Sequence, residues 1–173
     1  MRLGVTKLPP LPTSFVRPAL EAARFAGWRT WQQLRDSDLT DVPAGPATYV
    51  VYRPSGDVPV FADANPGGRF KGQDPTIAVE TLHANWVPGA HAVYIGKADK
   101  ARRRLKQFAR FGAGDPIGHW GGRYIWQLAD SDELLVAWHA IDWDEVARAY
   151  EKRLLAHFGD LDEGRRPFAN LTG

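Results

Sequence analysis

The stretch His91-Ala-Val-Tyr-Ile-Gly-Lys-Ala-Asp-Lys-Ala-Arg-Arg-Arg-Leu-Lys-Gln-Phe108 carries the strongest fold signal in the chain. Its apolar run from Ala92 to Ile95 predicts a short buried strand. Gly96 predicts a turn, and the periodically apolar, basic residues from about Asp99 to Phe111 predict a helix. A strand followed at once by a basic helix is therefore the expected centre of the fold.

One arginine of this predicted helix lies on its apolar face. With 3.6 residues per turn, the apolar positions fall within about 100° of Arg104. These apolar positions are Ala101, Leu105, Phe108 and Phe111. An arginine there needs a partner or a ligand, because an unpaired charge is costly to remove from water. Arg104 is therefore expected to be a positioned guanidinium, whereas Arg102, Arg103 and Lys106 are expected to point toward water.

A second helix near the C-terminus shows the same anomaly with the opposite charge. Asp142-Trp-Asp-Glu145 resembles a capping box, and the following residues predict a helix to about Phe158. Glu151 lies on its apolar face, among Ala147, Leu154, Leu155 and Phe158. A carboxylate in that position is paired, protonated or bound to a metal. Arg104 and Glu151 could also simply form a structural ion pair.

The residues around these two helices resemble the GIY-YIG nuclease family. Tyr94-Ile95-Gly96 matches the second signature triplet, and Ala47-Thr48-Tyr49 is a degenerate first triplet that keeps its tyrosine. The family's arginine on the next helix is matched by Arg104, and its metal-binding glutamate on a later helix by Glu151. Its late asparagine is matched by Asn170, in the segment Arg166-Pro-Phe-Ala-Asn-Leu171.

The resemblance implies a metal-dependent endonuclease that hydrolyses phosphodiester bonds in DNA. Glu151 would bind Mg²⁺ or Mn²⁺, since a carboxylate oxygen suits these cations. Arg104 would contact the scissile phosphate, and Tyr49 is the candidate general base. Tyr94 would orient water or phosphate, and Asn170 would brace the site by hydrogen bonds.

One departure from the family pattern leaves two other functions open. One turn after the arginine, family members commonly place a histidine or tyrosine, and this chain has Phe108. His119 in the following glycine-rich loop is the candidate substitute, or else an ordinary loop histidine. If nothing replaces the missing group, the chain is a catalytically degenerate nucleic-acid-binding module. A third alternative is a domain that binds a small molecule or protein, with Arg104 and Glu151 as an ion pair.

Charge patterning predicts a local basic patch on an otherwise balanced protein. The formal net charge is only +2, so affinity for nucleic acid must come from clustered cations. Besides Arg104, the candidate nucleic-acid-binding residues are Lys97, Lys100, Arg102, Arg103, Lys106, Arg110 and Arg123. Such a run can also be an ordinary solvated helix face.

Composition excludes several classes of site. The chain has no cysteine, which removes disulfides, thiolate metal sites and thiol nucleophiles. No two histidines are three or four residues apart, so a histidine-bound zinc site is disfavoured. No apolar run approaches the length of a membrane span, and no signal core is visible. These features predict a cytoplasmic protein without a membrane partner.

The expected fold is α+β, with a small, mostly antiparallel central sheet flanked by helices. Residues 1–42 are assigned to an N-terminal arm and helix, and residues 43–173 to the nuclease-like domain with an insertion at about 54–90. This insertion is either a substrate-recognition element or a surface loop. The remaining expected elements are helices at Phe15–Leu34 and Thr76–Trp86 and strands at Thr48–Arg53, Arg123–Leu128 and Leu134–Ile141.

Overall fold

The structure, a computed structural model, describes residues 7–171 and confirms the α+β class. The helices are α1 (Arg17–Ala22), α2 (Trp31–Asp36), α3 (Val79–Asn85), α4 (Ala101–Gly112) and α5 (Asp144–Leu161). The strands are β1 (Ala26–Thr30), β2 (Ala47–Tyr52), β3 (Ala92–Ala98) and β4 (Leu135–Ala140). Short 3₁₀ turns occur at Phe70–Gly72, Arg123–Gln127 and Ser131–Glu133.

The four strands form one sheet in the order β1-β4-β2-β3, and every neighbouring pair is antiparallel. Every residue of β2 is buried, because this strand lies between β4 and β3 and is covered on both faces. Its β-branched and aromatic residues suit such a position. The two signature triplets therefore lie on paired strands, although the insertion separates them in sequence.

Two apolar cores form on the two faces of the sheet. On one face, α2 and α4 pack with the Arg123–Gln127 turn, and the predicted apolar stripe of α4 is buried. On the other face, α1 and α5 pack against the sheet. Helices α4 and α5 thus approach β3 from opposite sides.

The last described residues close the outer edge of β3. The Ala169 backbone N–H donates to the Val93 carbonyl at 2.8 Å. The Asn170 amide then continues the ladder: its Oδ1 accepts from the Ile95 N–H at 2.9 Å, and its Nδ2 donates to the Ile95 carbonyl at 2.8 Å. This segment satisfies backbone groups that an edge strand would otherwise leave open.

The insertion packs its arm, residues 65–72, against the end of α4. The Gly68 N–H donates to the Phe111 carbonyl at 2.9 Å. A Cβ at Gly68 would lie 1.7 Å from the Asp115 carbonyl oxygen, so only glycine permits this approach. The insertion also contains α3, as expected. Its arm therefore contacts the glycine-rich loop 112–122, which carries His119.

One expected element near the N-terminus is wrong. The predicted helix at Phe15–Leu34 is divided into α1, β1 and α2. Arg24 adopts a left-handed φ of 72° directly after α1, and the following residues pair with β4. Cross-strand pairing therefore overrides a helical pattern in the sequence. In the predicted N-terminal arm, residues 7–13 form no regular element, and residues 1–6 lie outside the described part.

Three local expectations also differ from the structure. Gly96 forms no turn, because β3 continues through it to Ala98. The predicted strand Arg123–Leu128 is a 3₁₀ turn, and its Gln127 amide binds the insertion through Ala62 and Ile77. The expected capping box is absent: Trp143 is the N-cap of α5 and makes no side-chain cap bond.

Candidate active site

Two tyrosines from neighbouring strands form the base of the candidate site. Tyr49 lies opposite Gly96 in the β2–β3 register. A Cβ at Gly96 would lie 2.6 Å from the Tyr49 ring and 2.7 Å from its hydroxyl oxygen, so the absence of a side chain makes room for this ring. The Tyr94 ring lies beside it, with the ring centroids 6.0 Å apart. The glycine of the second triplet thus positions the tyrosine of the first.

The two tyrosines differ in exposure and share one electrostatic environment. Tyr49 is fully buried and Tyr94 is half-buried. Burial raises the pKa of the Tyr49 phenol well above its ordinary value, and the neighbouring Tyr94 adds to this shift. Burial and the charge of Glu151 raise the pKa of Tyr94. The guanidinium of Arg104 opposes both increases, and the charge of Glu151 also contributes to the raised pKa of Tyr49. Arg104 and Glu151 therefore both influence the two phenols.

Arg104 reaches the site from the first turn of α4. It is half-buried, and its Nη1 donates to the Gly118 carbonyl at 3.4 Å, which is a long contact. No salt bridge involves Arg104 among residues 7–171. Most donors of this guanidinium therefore remain available to an anion.

Glu151 reaches the site from the opposite side, on α5. It too is half-buried and forms no salt bridge within the described residues. Burial raises the pKa of its carboxyl, while the Lys97 ammonium and backbone amide oppose this shift. The Lys97 ammonium itself pairs with Asp144 at 2.9 Å. Glu151 is consequently a carboxylate with free oxygen lone pairs.

The expectation of a structural ion pair is therefore wrong. Within the described part of the chain, Arg104 and Glu151 do not approach within salt-bridge distance of each other. Both charges instead influence the pKa values of Tyr49 and Tyr94, Arg104 lowering and Glu151 raising them. Two opposite, half-buried charges that leave each other unpaired form a site able to receive a ligand with both anionic and cationic parts.

His119 occupies the space above the unexpected Phe108. The two rings stack with centroids 3.8 Å apart, and His119 is only 1% exposed. Its Nδ1 lies 3.0 Å from the Gly121 carbonyl oxygen, and its Nε2 is buried without a hydrogen-bond partner. Burial, followed by the charge of Arg104, lowers the pKa of His119 to about 3. His119 is thus a neutral imidazole whose free Nε2 is an acceptor.

Asn170 does not enter the cluster as a free group. Both polar atoms of its amide are bound to the Ile95 backbone, which lies between Tyr94 and Gly96. This places Asn170 at the edge of the site, where it holds β3 in position. Its contacts match the bracing function that the resemblance implies.

The predicted basic residues separate into bound and open groups. Arg102 donates to the Val42 carbonyl at 2.9 Å, so the expectation that it points toward water is wrong. Arg110 pairs with Asp115 at 2.8 Å, and Arg123 packs over the Trp120 ring. Three further cations are exposed beside Arg104 on α4 or just before it: Lys100, Arg103 and Lys106.

Glu151 is the carboxylate of this candidate site that would hold a divalent cation. No group of three or more potential ligands (His, Cys, Asp or Glu) exists among residues 7–171. Mg²⁺ tolerates such a site, because it keeps several waters and uses one or two carboxylates together with phosphate oxygens. The half-buried Glu151, which has no salt-bridge partner among residues 7–171, therefore fits a hydrated cation.

Sequence patterns predicted the side chains of this candidate site and gave no indication of its backbone groups. The Gly118 carbonyl accepts from Arg104, and the Gly121 carbonyl fixes the orientation of His119. Both belong to a loop without periodicity, where only the glycine content gave a signal.

Comparison with known proteins gives no support for or against the assignment of this site. The chain matches no protein-family model, and no curated protein or solved structure matches it. Within residues 7–171, no helix combines the length and apolar character needed to cross a membrane.

Proposed function

We propose that this protein is a metal-dependent endonuclease of the GIY-YIG type that hydrolyses phosphodiester bonds in DNA. The observation that carries the proposal is the arrangement of Arg104 and Glu151. Both are half-buried and free of salt bridges in the described chain, and both act on the same pair of tyrosines. A phosphodiester substrate with a divalent cation would satisfy both charges at once.

In this proposal Arg104 binds the scissile phosphate. Its guanidinium can donate two parallel hydrogen bonds to the phosphate oxygens and keeps its charge at any working pH. The charge that develops on those oxygens in the transition state would strengthen the bonds. The adjacent cations Lys100 and Arg103 would hold the flanking phosphates.

Glu151 would hold Mg²⁺ or Mn²⁺, which would supply Lewis-acid polarisation of a phosphate oxygen when bound. Asn170 would fix the β3 backbone beside Tyr94. Tyr94, the more exposed phenol, would orient the attacking water. These functions follow the family resemblance and agree with the burial of each group.

Two groups compete for the function of general base. Tyr49 is the candidate by resemblance, but burial raises the pKa of its phenol. A phenol with an ordinary pKa of about 10 needs nearby cationic charge to lose its proton near neutrality, and Arg104 supplies part of that charge. The buried Nε2 of His119 has no hydrogen-bond partner among residues 7–171, but the pKa of about 3 makes this neutral imidazole a weak base near neutrality. Single substitutions at the two positions separate these assignments.

The second candidate function is nucleic-acid binding without cleavage. The observation that favours it is Phe108, which is fully buried and has no group able to transfer a proton. If His119 does not replace the missing side chain, binding would persist while hydrolysis would be lost. Both functions require the same basic surface, so only turnover distinguishes them.

The test is incubation of the purified protein with supercoiled plasmid, with Mg²⁺, with Mn²⁺ and with a chelator. Branched and single-stranded DNA are tested in parallel. We expect nicked or linear products that depend on the metal. Binding without metal-dependent cleavage of any of these substrates would favour the binding module, and no binding at all would overturn both candidates.

A further inference from the structure

An open groove lies beside the C-terminal segment that closes the edge of β3. It has a volume of about 460 Å³ and shares Asn170 with the site. Its walls come from the end of α3, from Tyr124 and from the segment after α5. The side chains that matter here are those of Asn85, Tyr124, Arg165, Arg166 and Asn170.

The chemistry of this groove is that of an anion-binding surface. Two arginines line it, and its lining contains no carboxylate, while the amides of Asn85 and Asn170 are bound to the backbone of Thr81 and Ile95. Both arginines are exposed, and neither forms a salt bridge within the described residues. Arg166 donates only one long bond, at 3.4 Å, to the Leu171 carbonyl, and Arg165 donates to the Trp86 carbonyl at 3.1 Å. Most of their donors remain free.

The groove and the basic helix lie at opposite ends of the same edge. Val87 lines the groove just before β3 begins, whereas Lys97 and Lys100 lie where β3 ends and α4 approaches. The bracing residue Asn170 lies between them, bound to Ile95 in the middle of β3. A chain of phosphates laid along this edge would therefore meet cations on both sides of Tyr94 and Glu151.

We propose that this groove binds the nucleic-acid backbone on the side of the scissile phosphate away from α4, through Arg165 and Arg166. This inference rests on the proposed function and gives the substrate a two-sided footprint. Arg165 also lines a neighbouring depression that contains the carboxylates of Asp162 and Glu163. Arg166 does not line that depression, so its charge is the more available to a phosphate.

The test compares the salt dependence of DNA binding by two double variants of equal charge change. Arg165→Gln with Arg166→Gln removes the groove cations. Arg24→Gln with Arg153→Gln removes two exposed cations that do not line the groove. They also do not line the depression at the start of α4, which is formed by Asp99, Lys100, Arg103, Arg104 and Gln107. Binding is measured with a chelator present, so that cleavage does not enter the readout. Single-stranded and duplex oligonucleotides serve as probes.

We expect the groove variant to lower the slope of log K against log salt by about 1.4 for single strands or 1.8 for duplex, at about 0.7 to 0.9 per phosphate contact. The control variant should leave the slope within error. If the groove variant unfolds, Arg166→Gln alone should still lower the slope by about half as much.

The failures of the two proposals are distinguishable. If Arg103→Gln lowers the salt slope but the groove variant does not, the groove inference is wrong and the proposed function stands. If the wild-type protein binds no nucleic acid, both are overturned. An equal loss of slope in the control variant would also overturn the inference, because it would indicate a nonspecific charge effect.

Discussion

Arg53, which is buried, and Arg104, which is half-buried, are held in opposite ways. Arg53, at one end of the β2 region, has an almost fully buried side chain that is held in place: its Nε donates to Asp130 at 2.8 Å, and its Nη1 donates to the Ser55 and Asp57 carbonyls. Arg104, beside Tyr49 near the other end, has one long contact with a carbonyl. An arginine that is paired with a carboxylate stabilises the fold, whereas an arginine without such a partner is available to a ligand.

The carboxylates of Asp130, Asp144 and Glu151 also differ in whether they are paired with a cation. Asp130 and Asp144 each pair with a cation at 2.9 Å or less, while Glu151 has no salt-bridge partner among residues 7–171. Unpaired polar groups inside a protein carry a free-energy cost, so their concentration at one place requires an explanation. Around Tyr49 and Tyr94 the proposed explanation is a phosphodiester and its cation.

The largest expected difference is between Arg53→Ala and Arg104→Ala. Removing Arg53 leaves Asp130 without its partner and should lower the free energy of unfolding by about 3 kcal/mol. Removing Arg104 should leave stability within about 1 kcal/mol and reduce turnover on the order of a hundredfold or more. Denaturant unfolding and plasmid cleavage check the two effects. Strong destabilisation by Arg104→Ala would show that this arginine is also structural.

The second prediction distinguishes Tyr49 from His119 as the general base. If Tyr49 is the base, Tyr49→Phe should reduce turnover by about 10² or more, while His119→Phe should act mainly on stability. If His119 is the base, the order reverses. Cleavage rates at saturating metal, measured on folded variants, decide between them. Equal and small effects from both substitutions would remove both assignments.

A third prediction concerns the stability of the protein in acid. His119 has a folded pKa of about 3, below the value of about 6.5 expected in the unfolded chain. Between these values the unfolded state binds more protons, so acidification lowers the free energy of unfolding, with a slope of up to about 1.4 kcal/mol per pH unit.

His119→Phe is the matched variant for this measurement, because it keeps an aromatic ring against Phe108 and cannot titrate. Its unfolding should be less sensitive to pH between about 6.5 and 3 than that of the wild type. His139, whose pKa is also lowered by burial, contributes equally to both proteins. Identical pH profiles would mean that His119 is not buried as a neutral ring.

The smallest effect is expected at the exposed cations of α4. Arg103→Gln and Lys106→Gln should each lower the salt slope of DNA binding by about one, with little effect on stability. Arg102→Gln should act differently, because Arg102 is bound to the Val42 carbonyl and connects α4 to the segment before β2. An unchanged slope in the Arg103 and Lys106 variants would argue against α4 as the phosphate-binding face.

Sequence reasoning succeeded where a signal is local. The periodicity of α4 and α5 placed Arg104 and Glu151 on their faces, and continuous apolar runs located β3 and β4. It failed at β1, because residues 15–34 carry a helical pattern that pairing with β4 overrides. Neither the Tyr49–Gly96 register nor the stacking of His119 on Phe108 has a local signature, since each depends on contacts distant in sequence.

The most direct measurement follows cleavage and binding of one DNA substrate by Glu151→Gln, with Glu145→Gln as the control. Glu145 is an exposed carboxylate on the same helix, so the two variants differ from each other only in the position of the lost charge. We expect Glu151→Gln to lose metal-dependent cleavage and keep its affinity for DNA, while Glu145→Gln cleaves like the wild type. Undiminished cleavage by folded Glu151→Gln would contradict the assignment of the site.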